Sequence, residues 1–330
     1  MMHHIQYPVG QGGFHLGIIG TYAYVYDCGG SNNVDWKQIF NDVTQKLKDV
    51  KTLDIFISHL HKDHYNKVST LVSNVSCVGL KTTIYMPLMN EIEKLIIIGE
   101  YLRDNHYDKN YISMVITCRF VFDSLEINKY KQPEYKFINN TKKDISVLAS
   151  DIILRTYVSN HMKADVDRFK HKLSELGIDI EHLEDRISDI SFWQHIKDAF
   201  IEVFNKNNIS NKIMLCLYCG KSFARLNYIY NNSNWLHTGD AYMNSKDLHG
   251  FFNRFGLLLN NVNFAQIPHH GSSHNHDRTF SMLFNSCRCK NFFYTYDNSS
   301  NVAKNVGDIL LCCCQSIYEI SDTSLTKIIK

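Results

Sequence analysis

Three imidazoles and a carboxylate fall within six residues at His59-Leu60-His61-Lys62-Asp63-His64, directly after the apolar run Leu53-Asp54-Ile55-Phe56-Ile57-Ser58. Neutral imidazole and carboxylate are the natural ligands of zinc and its neighbours, and a catalytic centre needs about three protein ligands per ion with one position open. His59 and His61, two apart, can point to one side of a loop leaving a strand. Asp63 and His64 follow the turn and can face a second position, so one short loop could serve two metals. The competing reading is a surface loop that happens to be rich in histidine, in a chain with 17 of them.

Two later segments favour the metal. Trp235-Leu236-His237-Thr238-Gly239-Asp240-Ala241 and Asn263-Phe264-Ala265-Gln266-Ile267-Pro268-His269-His270-Gly271-Ser272 each read as a strand end that delivers a potential ligand. An H-x-H-x-D-H loop, a later Asp and a final His after another strand, in that order, resemble the metallo-β-lactamase superfamily. The resemblance can be narrowed. Val9-Gly10-Gln11-Gly12-Gly13-Phe14, Asp27-Cys28-Gly29-Gly30, the T-G-D-A segment and P-H-H-G-S look like the branch that contains the hydrolase domains of competence-type DNA-internalisation proteins. These motifs run from residue 9 to residue 273.

The resemblance implies two divalent cations, zinc or manganese, with His59 and His61 on the first, Asp63 and His64 on the second, and Asp240 as the bridge. His269 would complete the second site, with His270 as the alternative, because neighbours at a strand end face opposite ways and the register is not fixed by sequence. Asp27 corresponds to an acid that orients a metal-binding imidazole, or it is a plain turn residue before two glycines. A further ligand to the first metal is expected between the loop and Asp240. His161, after the extended run 152–160, is the candidate, although Asn160-His161 could equally cap a helix. Asp63, His64 and Asp240 would hold the attacking hydroxide. His274 or His276 could donate a proton or contact phosphate, or be loop histidines that face solvent.

The elements that must position these residues read as a four-layered αββα sandwich, one domain over residues 1–330 with a helical insertion at about 162–207. Residues 5–30 read as two strands joined by Gly-rich turns, and 35–50 as a helix with Trp36, Ile39, Phe40, Val43 and Leu47 on one face. Within 83–122, Thr83–Met86 and Met114–Ile116 read as strands around a helix at 90–103. In the insertion Phe192, Trp193, Ile196, Phe200, Val203 and Phe204 form an apolar stripe suited to core packing; the insertion could shape a lid or dock a protein partner. Asn231, Asn232 and Asn234 mark a loop. Cys28, Cys77, Cys118 and Cys216 lie in strand-like segments, Cys216 and Cys219 continue one strand, and Cys312-Cys313-Cys314 read as another. All suit reduced, packed thiols better than a disulfide scaffold.

With 330 residues, 44% hydrophobic and 21% charged, the chain can bury a large core. The start lacks a basic segment followed by an apolar one, and no apolar run approaches the roughly 20 residues of a membrane span. The expectation is a cytoplasmic protein without a membrane anchor. A net charge of +2 argues neither for nor against an anionic substrate, but it argues against a broad basic clamp of the kind that grips duplex DNA through many phosphates, so any hold on nucleic acid is expected to be local or supplied by a partner. Two cations about 3.5–4 Å apart suit in-line phosphoryl displacement. The leading expectation is therefore a phosphodiesterase or nuclease acting on nucleic acid or nucleotides. The alternatives are a hydrolase of a small ester, thioester or lactam, and a regulatory or effector subunit, for example of an antiviral defence complex.

Overall fold

A computed structural model describes residues 2–76, 79–120, 132–140, 144–146, 152–205, 209–221, 234–243, 248–271, 289, 291–296, 316–321 and 327–329. His274, His276, Cys77, Cys312, Cys313, Cys314 and residues 231–233 lie outside them. The chain divides into two compact units: residues 1–87, 124–159 and 214–330 form one, and 88–123 with 160–213 form the other.

Among the described residues, the first unit holds two seven-stranded sheets. Sheet 1 begins with β1 (Met2–Gln6), β2 (His15–Ile19) and β3 (Tyr22–Tyr26), which pair antiparallel in succession. Residues 5–30 thus contain three strands rather than the two expected. Gly20, at φ +58°, sits in the tight turn that divides β2 from β3, a conformation glycine reaches without cost. Helix α1 (Trp36–Lys46), capped by the Asp35 carboxylate on the Gln38 amide, then leads to β4 (Thr52–Phe56), parallel to β3. The short α2 (Lys62–Tyr65) and α3 (Val68–Ser76) precede β5 (Lys81–Pro87) and β6 (Glu134–Ile138), both parallel continuations.

Sheet 2 contains β7 (Ile145–Ser146), β8 (Ile152–Asn160), β9 (Ile213–Lys221), β10 (Trp235–His237), β11 (Phe264–Gln266), β12 (Asn291–Tyr296) and β13 (Ser316–Ser321), in the reverse of chain order. β14 (Lys327–Ile329) returns to pair with β1 in sheet 1.

Alternation along β10 shows the layering. Leu236 joins Met214, Cys216, Phe251 and Phe255 in the core beneath a helix at Leu248–Phe255, whereas Trp235 and His237 face the other way. On that side Trp235 stacks on His4 and packs on His15, and the Tyr26 hydroxyl donates to the Leu215 carbonyl at 2.6 Å, joining the sheets. Phe14 stacks on Trp36, which puts α1 over sheet 1. Helix, sheet, sheet and helix are thus in place within this unit. The central strand β9 is buried along nearly its whole length, and Cys216 and Cys219 are both free thiols there. Cys216 belongs to the helix-side core and Cys219 to the side of Tyr24, so the C-x-x-C spacing brings no thiol pair together.

An uncommon polar chain crosses the space between the sheets. The Gln6 amide donates to the Phe14 carbonyl, its oxygen faces His15 Nδ1 at 3.3 Å, and His15 Nε2 meets His4 Nδ1 at 3.1 Å. The Tyr24 hydroxyl lies 3.3 Å from both His4 and His237. Burial pushes His15 and His237 well below the ordinary histidine pKa, so both stay neutral.

The second unit is helical. Helix α4 (Glu91–Asp104) opens with a reciprocal capping box between Asn90 and Glu93, and α5 (Lys109–Thr117) opens with the Asp108 carboxylate on the amides of Asn110 and Tyr111. Met114–Ile116, expected as a strand, lies inside α5. A short apolar run reads the same in either structure, and the Asp108 cap decides for helix. Helix α6 (Lys163–Glu175) and α7 (Ile190–Phe204) follow, the latter burying Phe192, Trp193, Ile196, Phe200 and Phe204 while Val203 is half-buried. A methyl group on Gly99 would approach Phe200 Cβ to 2.7 Å, so α4 and α7 meet through that glycine.

Candidate metal centre

Strand β4 ends at Phe56 and the chain runs on through Ile57 and Ser58 into the histidine loop. His59 and His64 are buried, while His61 and Asp63 are half-exposed. The loop rests on glycines. A Cβ on Gly12, whose φ is +124°, would lie 2.2 Å from the Asp63 carbonyl oxygen, and one on Gly29 would lie 2.5 Å from the same atom. The V-G-Q-G and D-C-G-G turns therefore let backbone touch backbone beneath Asp63. The Cys28 amide donates to the His64 carbonyl at 2.8 Å and fixes the contact.

Asp27, at φ +55°, is fully buried beside the loop. One oxygen accepts the Ser58 amide at 2.7 Å; the other accepts the Ser58 hydroxyl and His64 Nδ1, each at 2.8 Å. Burial raises its pKa, and the donors from His64 and Ser58 oppose the rise. Ser58 Oγ also stands 3.0 Å from His59 Nδ1.

Asp240 reaches the same place from β10. Gly239, at φ +54°, makes the turn, and a Cβ there would meet Ser58 Cβ at 2.8 Å. Gln266 holds it: its side-chain oxygen accepts the amides of Thr238 and Gly239 at 3.2 Å each. The two carboxylate oxygens of Asp240 face different partners. Oδ2 is 3.8 Å from His59 Nε2 and 3.6 Å from His269 Nε2; Oδ1 is 3.5 Å from His64 Nε2 and 3.7 Å from His270 Nε2.

His269 and His270 follow β11 in a tight turn, with positive φ at both, 49° and 52°. Strand alternation, the reason for treating the two as alternatives, does not operate in such a turn. His270 is the buried one, and its Nδ1 donates to the Thr295 carbonyl at 2.9 Å, which leaves Nε2 as the lone-pair nitrogen. The Thr295 hydroxyl in turn donates to the Gly12 carbonyl at 2.6 Å.

Two groups of donor atoms result: His59, His61 and Asp240, and Asp63, His64 and His270. Of the two histidines left open, His270 is in the second group, and His269 is in neither, although its Nε2 lies 3.6 Å from Asp240. His161 directly follows β8 in the chain, belongs to the helical unit and is in neither group.

The donor set fits divalent cations on an observation independent of motif. The Nε2 atoms of His59, His64 and His270 are buried without a hydrogen-bond partner, an arrangement that costs free energy unless something else meets these nitrogens. Burial, with His64 and His61, pushes His59 well below the ordinary histidine value, and burial lowers His270, so both are neutral imidazoles. Burial alone would also lower His64, yet Asp240, Asp63 and Asp27 push it up to about 10. Burial would raise Asp240, but His64, His270, His269 and His59 hold its carboxyl well below the usual carboxylate range. Asp27, Asp63 and Asp240 thus set a negative potential at His64, the condition that favours a cation.

Sequence reasoning passed over Ser58, Gln266 and Thr295. The first two stand inside the motif segments and could have been noticed there; Thr295, on β12, carries no local signal.

No family model matches the sequence, and no curated protein matches it. Solved structures do. The metallo-beta-lactamase fold protein YhfI from Bacillus subtilis aligns with a TM-score of 0.50 at 9% identity, covering 99% of this chain and 99% of that chain. Igni18, a metallo hydrolase from the archaeon Ignicoccus hospitalis, aligns at 0.49 with 10% identity over 100% and 99%. Unliganded yeast PDE1 aligns at 0.46 with 8% identity over 94% of each. The likeness to YhfI shows that this chain has the metallo-β-lactamase fold.

Proposed function

We propose that the protein is a metal-dependent hydrolase with a dinuclear centre, acting on phosphodiester bonds of nucleic acid or nucleotides. One observation carries the reading: Asp240 turns one carboxylate oxygen to His59 and the other to His64 and His270, so a single side chain belongs to two adjoining donor groups. His59, His61 and Asp240 would hold one divalent cation, zinc or manganese, and Asp63, His64 and His270 the other, with Asp240 shared. When bound, such a pair supplies Lewis acidity at two points, matching the attacking and leaving oxygens of an in-line displacement.

The chain's own residues do the rest. Asp27 accepts from His64 Nδ1 and so aims Nε2 inward; the Thr295 carbonyl does the same for His270. His59, His64, Asp240 and His270 form the closed floor. His61, Asp63 and His269 are part-exposed and form the mouth at which a phosphate ester would enter. The competence-type motifs support a phosphodiester over a carboxylic ester. The net charge of +2 points to a short substrate or a partner-held strand rather than a duplex clamped over many phosphates.

The test is incubation of zinc- or manganese-reconstituted protein with bis(p-nitrophenyl) phosphate, single-stranded and duplex DNA, RNA, cyclic nucleotides, thioesters and lactams. Cleavage of a phosphodiester that is lost in Asp240→Ala is expected. Cleavage of only a thioester or lactam would replace this reading, and no cleavage of anything would end it in favour of a regulatory subunit.

A further inference from the structure

Ser58 has one hydroxyl hydrogen and several polar neighbours, among them the Tyr26 hydroxyl, whose own hydrogen goes to the Leu215 carbonyl. Asp27 Oδ2 lies at 2.8 Å, His59 Nδ1 at 3.0 Å and His64 Nδ1 at 3.3 Å, and the hydroxyl is buried with no access to water. A carboxylate can only accept, so the hydrogen goes to Asp27. His64 Nδ1 already donates to that carboxylate at 2.8 Å. The Ser58 oxygen is left as an acceptor, and, with the Tyr26 hydrogen taken by Leu215, His59 Nδ1 at 3.0 Å donates to it. His59 is thereby held as the Nδ1–H tautomer, with the Nε2 lone pair facing Asp240 Oδ2 at 3.8 Å.

We infer that Ser58 is a positioning residue which, through this one hydroxyl, selects the His59 tautomer and so sets the affinity of the first donor group for its cation. This rests on the dinuclear reading above. Asp27 acts on His64 directly but on His59 only through Ser58. One buried carboxylate therefore orients ligands of both groups, and the hydroxyl is its link to the first. Without it, His59 Nδ1–H would be buried without an acceptor, and the ring gains by moving its hydrogen to Nε2, where Asp240 can take it. That tautomer cannot bind a cation through Nε2.

Ser58→Ala removes the hydroxyl and adds no bulk. In chelator-treated protein labelled with ¹⁵N-histidine, the His59 resonances, identified by their loss in His59→Gln, should report Nδ1–H in the parent and shift toward Nε2–H in Ser58→Ala. Zinc titrated against a chromophoric chelator should then show two ions in the parent. In Ser58→Ala one of the two affinities should fall about 10–100-fold, the usual effect of removing an outer partner of a ligand, while the other is unchanged. An unchanged tautomer overturns the inference. So does an equal loss of both affinities, which would make Ser58 a general packing residue. If the parent takes up no zinc at all, the dinuclear reading fails, while the tautomer comparison, made without metal, still decides for or against Ser58.

Discussion

Acid should weaken this fold through two histidines that solvent does not reach. His15 and His237 lie between the sheets, 1% exposed each, and burial holds both well below the ordinary histidine pKa. In the unfolded chain each titrates near 6.5, so below that pH the unfolded state binds protons that the folded state refuses. The sign follows: the contribution is full above pH ~6.5 and is lost progressively as pH falls from there toward the folded values. Integrating the linkage from about pH 7.5 to about pH 5.5, with both rings neutral in the folded state throughout, gives a loss of roughly 3 kcal/mol for the pair, half from each. The assay is urea denaturation of chelator-treated protein at the two pH values, for the parent and for His15→Gln. Whatever His15→Gln does to absolute stability, its loss between the two pH values should be smaller than the parent's by half of that roughly 3 kcal/mol. Identical pH dependence in the two proteins would mean that His15 is charged in the folded state or does not titrate in the unfolded one, and would refute the reasoning.

Elemental analysis of reconstituted protein should find two transition-metal ions per chain, reduced in His61→Ala and Asp240→Ala with circular dichroism unchanged. His270→Ala should lose one ion, whereas His269→Ala, altering the half-exposed neighbour, should keep both; the reverse pattern would make His269 the ligand. Gly12→Ala places a methyl against the Asp63 carbonyl at 2.2 Å from a backbone at φ +124° and should cost roughly 2–4 kcal/mol in denaturant titrations. Gly20→Ala, whose methyl meets open space, should cost only about 1 kcal/mol.

The loop 59–64, Asp240 and Asp27 were legible because they sit where strands end, and an apolar run followed by a polar turn marks that place in one dimension. The fold class was legible for the same reason. What separates His269 from His270, two left-handed residues and a carbonyl at Thr295 far off in the chain, was not. The Met114–Ile116 segment misled because an apolar triplet has no period, and only the Asp108 cap separates helix from strand. Ser58 stood in plain view, but its part depends on where its one hydrogen goes among its neighbours, which needs coordinates.

The hydrogen bond from Thr295 to Gly12 spans 283 positions of sequence. It ties the turn beneath Asp63 to the strand whose carbonyl orients His270. During synthesis, then, the histidine loop and its glycine cradle leave the ribosome long before the residues that orient His270 exist. A growing chain can present His59, His61 and His64 but not a finished second group. Contacts of such long range also form late and slowly, so assembly of that donor group awaits synthesis through Thr295, and a product truncated before it would carry the motif without that group.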